Sequence, residues 1–145
     1  MNRIPFTKYA SKALNEGREI AGYLGFKDVS SIFILLGLYG ADGSLASEVL
    51  KMHGVTRELI EEAIKEKSKM PKDRRRTVKD TPKTEYLLEI AGEIAMKYGC
   101  DSIGSEHILM AMIKDGDNEA FRLLEDHKIS CEGIYTDILV TAGID

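Results

Sequence analysis

Gly104-Ser105-Glu106-His107-Ile108-Leu109 starts a helical pattern and sets a carboxylate where a helix offers unpaired backbone N–H groups. An altered copy lies 74 residues earlier, Ser30-Ser31-Ile32-Phe33-Ile34-Leu35. The copy keeps Ser31 and Ile34-Leu35, but Ile32 stands for Glu106 and Phe33 for His107. The same offset holds without a gap along most of the chain. Thr7 matches Thr81, Glu19-Ile20-Ala21 matches Glu93-Ile94-Ala95, and Gly25 matches Gly99. Ala46, Leu50 and His53 match Ala120, Leu124 and His127. A fixed period of this length marks an internal structural repeat. The shared positions are apolar or turn-forming, so both halves are expected to adopt one fold.

Each half reads as four helices. Thr7 is a candidate N-cap, followed by apolar residues at helical spacing from Ala10 to Leu24, and Gly25 is a natural stop. Ser30 or Ser31 opens a second helix to about Tyr39 that is apolar nearly all round, the signature of a buried helix. Ser44 and Thr56 open the third and fourth. Thr81-Pro82, a cap followed by proline at the first helical position, restarts the plan. Helices are expected from there to about Tyr98, then over about 105–114, 118–127 and 131–141, and no strand is expected. The fold class is therefore all-α: eight helices in two tandem four-helix repeats related by a pseudo-twofold axis. The boundaries are repeat one over about 6–67, a basic connector over 68–80, and repeat two over about 81–142, all within one domain spanning 1–145. The two most apolar helices, 31–39 and 105–113, are expected to join the repeats.

Composition narrows the function. The net charge is -4, yet Lys65 to Lys79 carries eight basic and two acidic residues, so the remainder carries about -10. The basic run Arg74-Arg75-Arg76 lacks interleaved aromatics and sits in an acidic protein, so no nucleic-acid partner is expected. The connector is expected to be solvated and mobile. Two cysteines, Cys100 and Cys131, give no disulfide framework and favour a reducing, cytoplasmic setting. No apolar run is long enough to span a bilayer, so no membrane partner is expected. Cys100 and His107 lack zinc spacing, no metal is expected, and no catalytic signature or phosphate-binding loop is present. The chain alone is thus expected to be no enzyme, with no cofactor of its own.

Four residues stand out as a candidate ligand site. Glu106 complements the helix N-terminal partial charge, and in a functional reading also receives a cation such as a guanidinium. Thr81 is a cap, and a hydroxyl beside exposed helix N–H groups also suits a phosphate, with Lys83 adding charge. Thr7 is its counterpart in repeat one.

Phe6-Thr7 and Thr81-Pro82, each followed about 25 residues on by an Ile-Leu helix, resemble the Clp N-terminal domain. Ile103-Gly104-Ser105-Glu106-His107-Ile108-Leu109 looks like that family's G-[TS]-E-H-[IL]-L signature. The resemblance runs from residue 6 to about 142 and is strongest for the ClpC type. It implies a module that recruits client proteins and MecA-like adaptors to an Hsp100/Clp AAA+ unfoldase. The unfoldase supplies ATP hydrolysis and feeds the ClpP peptidase. It further implies recognition of arginine-phosphorylated proteins, with the Glu taking the guanidinium and the Thr helping to hold the phosphate. Thr81 and Glu106 match that pattern in repeat two, and Thr7 matches in repeat one, where Ile32 replaces the acid. One competent site, pairing Thr81 with Glu106, is the resulting expectation. The alternative is a stand-alone repeat protein with a regulatory or structural protein-binding role and no ligand site.

Overall fold

The computed structural model describes residues 4–68 and 78–142. Among them lie eight α-helices and two short strands. In order these are α1 Lys8–Tyr23, β1 Asp28–Val29, α2 Ser31–Gly40, α3 Leu45–Met52, α4 Arg57–Lys67, β2 Lys79–Asp80, α5 Pro82–Lys97, α6 Ser105–Asp115, α7 Glu119–Asp126 and α8 Cys131–Thr141. The helix starts are where the capping residues put them. Thr7, Ser44, Thr56, Thr81, Asn118 and Ser130 each accept a hydrogen bond from the backbone N–H three residues on. Such a cap is worth roughly 1 kcal/mol. Gly25 and Gly99, matched at the repeat offset, adopt φ of 89° and 73° just beyond α1 and α5, where a side chain would be strained.

The apolar helix α2 is the centre. Every residue from Ser31 to Leu38 is buried. Helix α1 lies on it so closely that a Cβ at Gly37 would collide with the Ala13 carbonyl, and one at Gly17 would sit 2.6 Å from the Phe33 oxygen. In repeat two α5 packs on α6, but with Ala91 and Ala111 at the matching positions, whose Cβ atoms rule out that approach distance. Helix α2 also meets α6 and α7 of the other repeat, and α3 meets α6 and α8. The buried apolar residues of both repeats form one continuous core. Among the described residues no single helix is long and apolar enough to cross a membrane.

Two features correct the expectations. The absence of strands does not hold: β1 and β2 pair in parallel, Asp28 opposite Lys79 and Val29 opposite Asp80, and an isolated bridge joins Phe6 to Ile103. Pairings of one or two residues carry no alternating pattern for a sequence to reveal. The connector also ends sooner than expected. Val78 packs half-buried against the core, and Asp80 accepts a forked pair from Arg18 at 3.1 and 2.8 Å. Arg74-Arg75-Arg76 lies outside the described residues.

These pairings are reciprocal. The Thr7 N–H donates to the Ile103 carbonyl at 2.8 Å, and the Thr81 N–H donates to the Val29 carbonyl at 3.1 Å. Thr81 and Ile103 are the repeat partners of Thr7 and Val29. The pseudo-twofold axis therefore hands the cap of each repeat's first helix to the segment that leads into the other repeat's second helix.

Candidate ligand-binding sites

That exchange reassigns the candidate residues. Thr81 was expected to act with Glu106 inside repeat two. Instead, Thr81 sits beside Val29 and the start of α2, while Thr7 sits beside Ile103 and the start of α6. The two groupings are thus Thr7 with Glu106, and Thr81 with Ile32. The physical reason is that a sequence offset reports which positions are equivalent, not which half touches which.

At the first grouping, Thr7 Oγ1 accepts from the Ala10 N–H at 3.2 Å, and its hydroxyl donates to no acceptor among the described residues. The N–H groups of Lys8 and Tyr9, in the first turn of α1, have no intrahelical acceptor. Glu106 is half-buried, and its carboxylate folds over Gly104 so closely that a Cβ there would collide with it. Glycine at 104 is therefore what lets the acid lie across the helix start. His107 is buried and fixes the same turn: its Nδ1 accepts from the Gly104 N–H at 2.8 Å. The ring proton then resides on Nε2, which faces Cys100 Sγ at 3.7 Å. Burial lowers the His107 pKa below its ordinary value, only partly offset by the Glu106 charge, so the ring is neutral near pH 7. Among the described residues no group of three His, Cys, Asp or Glu side chains is placed to hold a metal ion.

At the second grouping the threonine is more committed. Thr81 Oγ1 accepts from the Thr84 N–H at 3.0 Å and donates to Thr84 Oγ1 at 2.9 Å. Thr84 Oγ1 in turn donates to the Val29 carbonyl at 2.9 Å. Pro82 removes one first-turn donor, and Lys83 supplies the next. The Lys83 ammonium pairs with Asp115 at 3.0 Å and lies 5.2 Å from the Tyr86 ring centre. Phe33, in the place of His107, is wholly buried and packs its ring 5.1 Å from that of Phe26. Ile32 is also buried, and its aliphatic side chain brings no charge.

The serines that open α2 and α6 tie each grouping to a third helix. Ser31 Oγ accepts from the Ala120 N–H at 2.9 Å, and Ser105 Oγ accepts from the Ala46 N–H at 3.4 Å. The N-termini of α2, α5 and α7 consequently converge on a cavity of about 530 Å³, lined in part by Ser30, Thr81, Lys83, Asn118, Glu119 and Arg122. Glu106 is not among its lining residues. Sequence reasoning missed Asn118 and Glu119, although the offset pairs Glu119 with Leu45 and so flags an acid special to repeat two.

The family profile for the Clp repeat (R) N-terminal domain matches residues 5–127. ClpC/MecB of Bacillus subtilis, described as a negative regulator of genetic competence, is 28% identical over 138 residues, which is 95% of this chain and 17% of that protein. The chain thus spans about a sixth of that relative's length. In fold it is similar to the N-terminal domain of ClpD from Arabidopsis thaliana, with a TM-score of 0.77 at 23% identity over 94% of this chain and 96% of that one. It is also similar to the ClpV N-domain in complex with a VipB peptide, with a TM-score of 0.69 at 18% identity over 96% and 93% of the two chains. Eight helices in two cap-exchanged repeats, matched by this profile over most of their length, make the chain a member of the Clp repeat N-terminal domain family.

Proposed function

We propose that this chain recruits protein segments, as clients or through adaptors of the MecA kind, to a ClpC-like unfoldase. We propose further that the grouping of Thr7 with Glu106 takes a phosphoarginine side chain. The observation that carries this reading is the Thr7–Ile103 hydrogen bond at 2.8 Å. It sets the donor-rich first turn of α1 beside the helix start that bears the Glu106 carboxylate. A phosphate suits the uncommitted Thr7 hydroxyl and the Lys8 and Tyr9 N–H groups. A guanidinium suits the carboxylate in a forked pair. That a domain of this fold accepts a peptide in the ClpV complex supports the wider protein-binding role. ATP hydrolysis and delivery to a peptidase such as ClpP belong in this reading to a parent unfoldase, and the chain itself has no catalytic part.

The test is a titration of the ¹⁵N-labelled protein with free phosphoarginine, with arginine and inorganic phosphate as controls. Shifts are expected at the amides of Lys8, Tyr9 and Gly104 to His107. A charge-assisted hydrogen bond contributes about 1.5–3 kcal/mol. Glu106→Ala should therefore weaken binding by about one to two decades. Unchanged affinity in that variant would refute the assignment of the carboxylate. Adaptor binding without any response to phosphoarginine would leave the recruiting role and remove the ligand.

A further inference from the structure

A groove of about 380 Å³ lies between α1 and α4, with α2 at its base. That volume is inside the range of small-ligand pockets, about 300–1,000 Å³. Leu24, Leu36 and Ile64 give it an apolar floor, and its rim holds Tyr23, Arg57, Glu61 and Lys65. It shares no lining residue with the cavity at Thr81. Tyr23 is 89% exposed. An aromatic ring turned to water at the edge of an apolar groove leaves apolar area for a partner to cover.

The repeat offset shows what fills the equivalent place. Leu24 corresponds to Tyr98, Glu61 to Tyr135 and Lys65 to Leu139. In repeat two Tyr98, Tyr135 and Leu139 all pack half-buried against the core. Burial pushes the Tyr135 phenol above its ordinary value, and the neighbouring Tyr98 adds to the shift. One ring comes from the end of α5 and the other from α8. The protein's own aromatic pair thus covers the seam between α5 and α8. Repeat one has Leu24 and Glu61 in their places, and its seam stands open.

Charge narrows the choice of occupant. Arg57 and Glu61 lie one turn apart on α4, 3.8 Å from each other. Lys65, a further turn along, is exposed and pairs with no acid among the described residues. The rim therefore carries two cations against one acid, in a chain whose net charge is -4. Such a rim favours an acidic partner and disfavours a basic one.

We propose that the groove between α1 and α4 docks a segment of a partner protein by an aromatic side chain with carboxylates beside it. The ring takes the place that Tyr98 and Tyr135 fill in repeat two, and the carboxylates meet Arg57 and Lys65. This rests on the recruiting role given above and is independent of the phosphoarginine grouping.

The probe is a capped hexapeptide, Asp-Glu-Tyr-Phe-Asp-Glu, titrated into the ¹⁵N-labelled protein at low salt. One control peptide replaces both rings by serine, and another replaces all four acids by lysine. Shifts are expected at the amides of Tyr23, Leu24, Glu61 and Lys65. Loss of a buried ring should weaken binding by the serine peptide about 10- to 100-fold. The lysine peptide should leave those amides unmoved. Leu24→Tyr combined with Glu61→Tyr copies repeat two and fills the groove. That variant should lose the peptide shifts and keep the phosphoarginine shifts at Lys8 and Tyr9. Lys65→Glu changes an exposed side chain and leaves the packing alone, so it serves if the filled variant does not fold. It should weaken peptide binding about two- to fivefold. No shift at the four amides overturns the groove, and a MecA-like adaptor that still binds the chain then leaves the recruiting role standing. Failure of the adaptor as well removes both. Peptide shifts that persist in the filled variant, equal binding by the serine peptide, or unchanged affinity in Lys65→Glu also overturn the proposal. So does self-association abolished by Tyr23→Ser, which makes a second copy of the chain the occupant.

Discussion

The amide nitrogen of Thr7 lies 2.8 Å from the carbonyl oxygen of Ile103, a residue of the opposite repeat. Neither repeat therefore completes its own helix start. Helix α2 is buried along its length by α1, α3 and α4 of its own repeat together with α6 and α7 of the other. A fragment ending at residue 68 is accordingly expected to lose native packing: broad amide signals and no sharp thermal transition. A cooperative transition and dispersed spectrum from that fragment would show that the repeats are independent units.

Gly37→Ala tests the contact between α1 and α2. Alanine gains roughly 1 kcal/mol of helix propensity over glycine. Against this, the new Cβ strikes the Ala13 carbonyl, a backbone atom that cannot swing aside. Overpacking of this kind costs about 1–3 kcal/mol. The clash should dominate, and urea unfolding should show a lower midpoint at unchanged slope. An equal or higher midpoint would mean that the helices separate without penalty.

His107 should make stability depend on pH. Its pKa is lowered in the fold by burial. Below about pH 6.5 the unfolded chain binds a proton there that the native ring refuses, so stability rises with pH through that window. The contribution is complete above about pH 6.5 and is lost as pH falls through the native value. Asp115 acts in the same direction at lower pH. Burial raises its pKa, but hydrogen bonds from Asn118, Lys83 and the Asp117 N–H outweigh that and hold it below the ordinary carboxylate value. His107→Phe, which copies the residue at position 33, should flatten the change in unfolding free energy between pH 7.5 and 5.5. Identical pH profiles for the two proteins would exclude His107 as the source.

Thr7 and Thr81 should respond differently to alanine. Each loses a cap worth about 1 kcal/mol. Thr81 also loses its bond to Thr84, which anchors Val29, so its variant should be the less stable in denaturant titrations. Thr7 shares its proton with no acceptor among the described residues, so Thr7→Ala should lose more phosphoarginine affinity for its cost in stability. Equal losses at both positions, in stability and in binding, would remove the distinction between the two hydroxyls.

Much of the fold is legible before any coordinates. The offset of 74 gives the duplication, and Thr7, Gly25, Ser44, Thr81 and Gly99 mark helix ends by simple capping chemistry. The strands are hidden because two residues cannot show alternation. The site is half legible. Thr7, Thr81, Lys83 and Glu106 can be picked out by residue type, but their partners come from the far half of the chain. Glu119 escapes because a first-turn acid in an amphipathic helix looks like ordinary dipole complementation.

The cap exchange also bears on how a duplicated sequence drifts. Had each half built its own pocket, one altered half would mean one altered pocket. Here position 32 stands at the helix start that adjoins the cap of α5, and position 106 at the helix start that adjoins the cap of α1. Each grouping at a helix start is thus encoded in both copies. Duplication followed by exchange gives a single small domain two crossed helix starts on one shared frame.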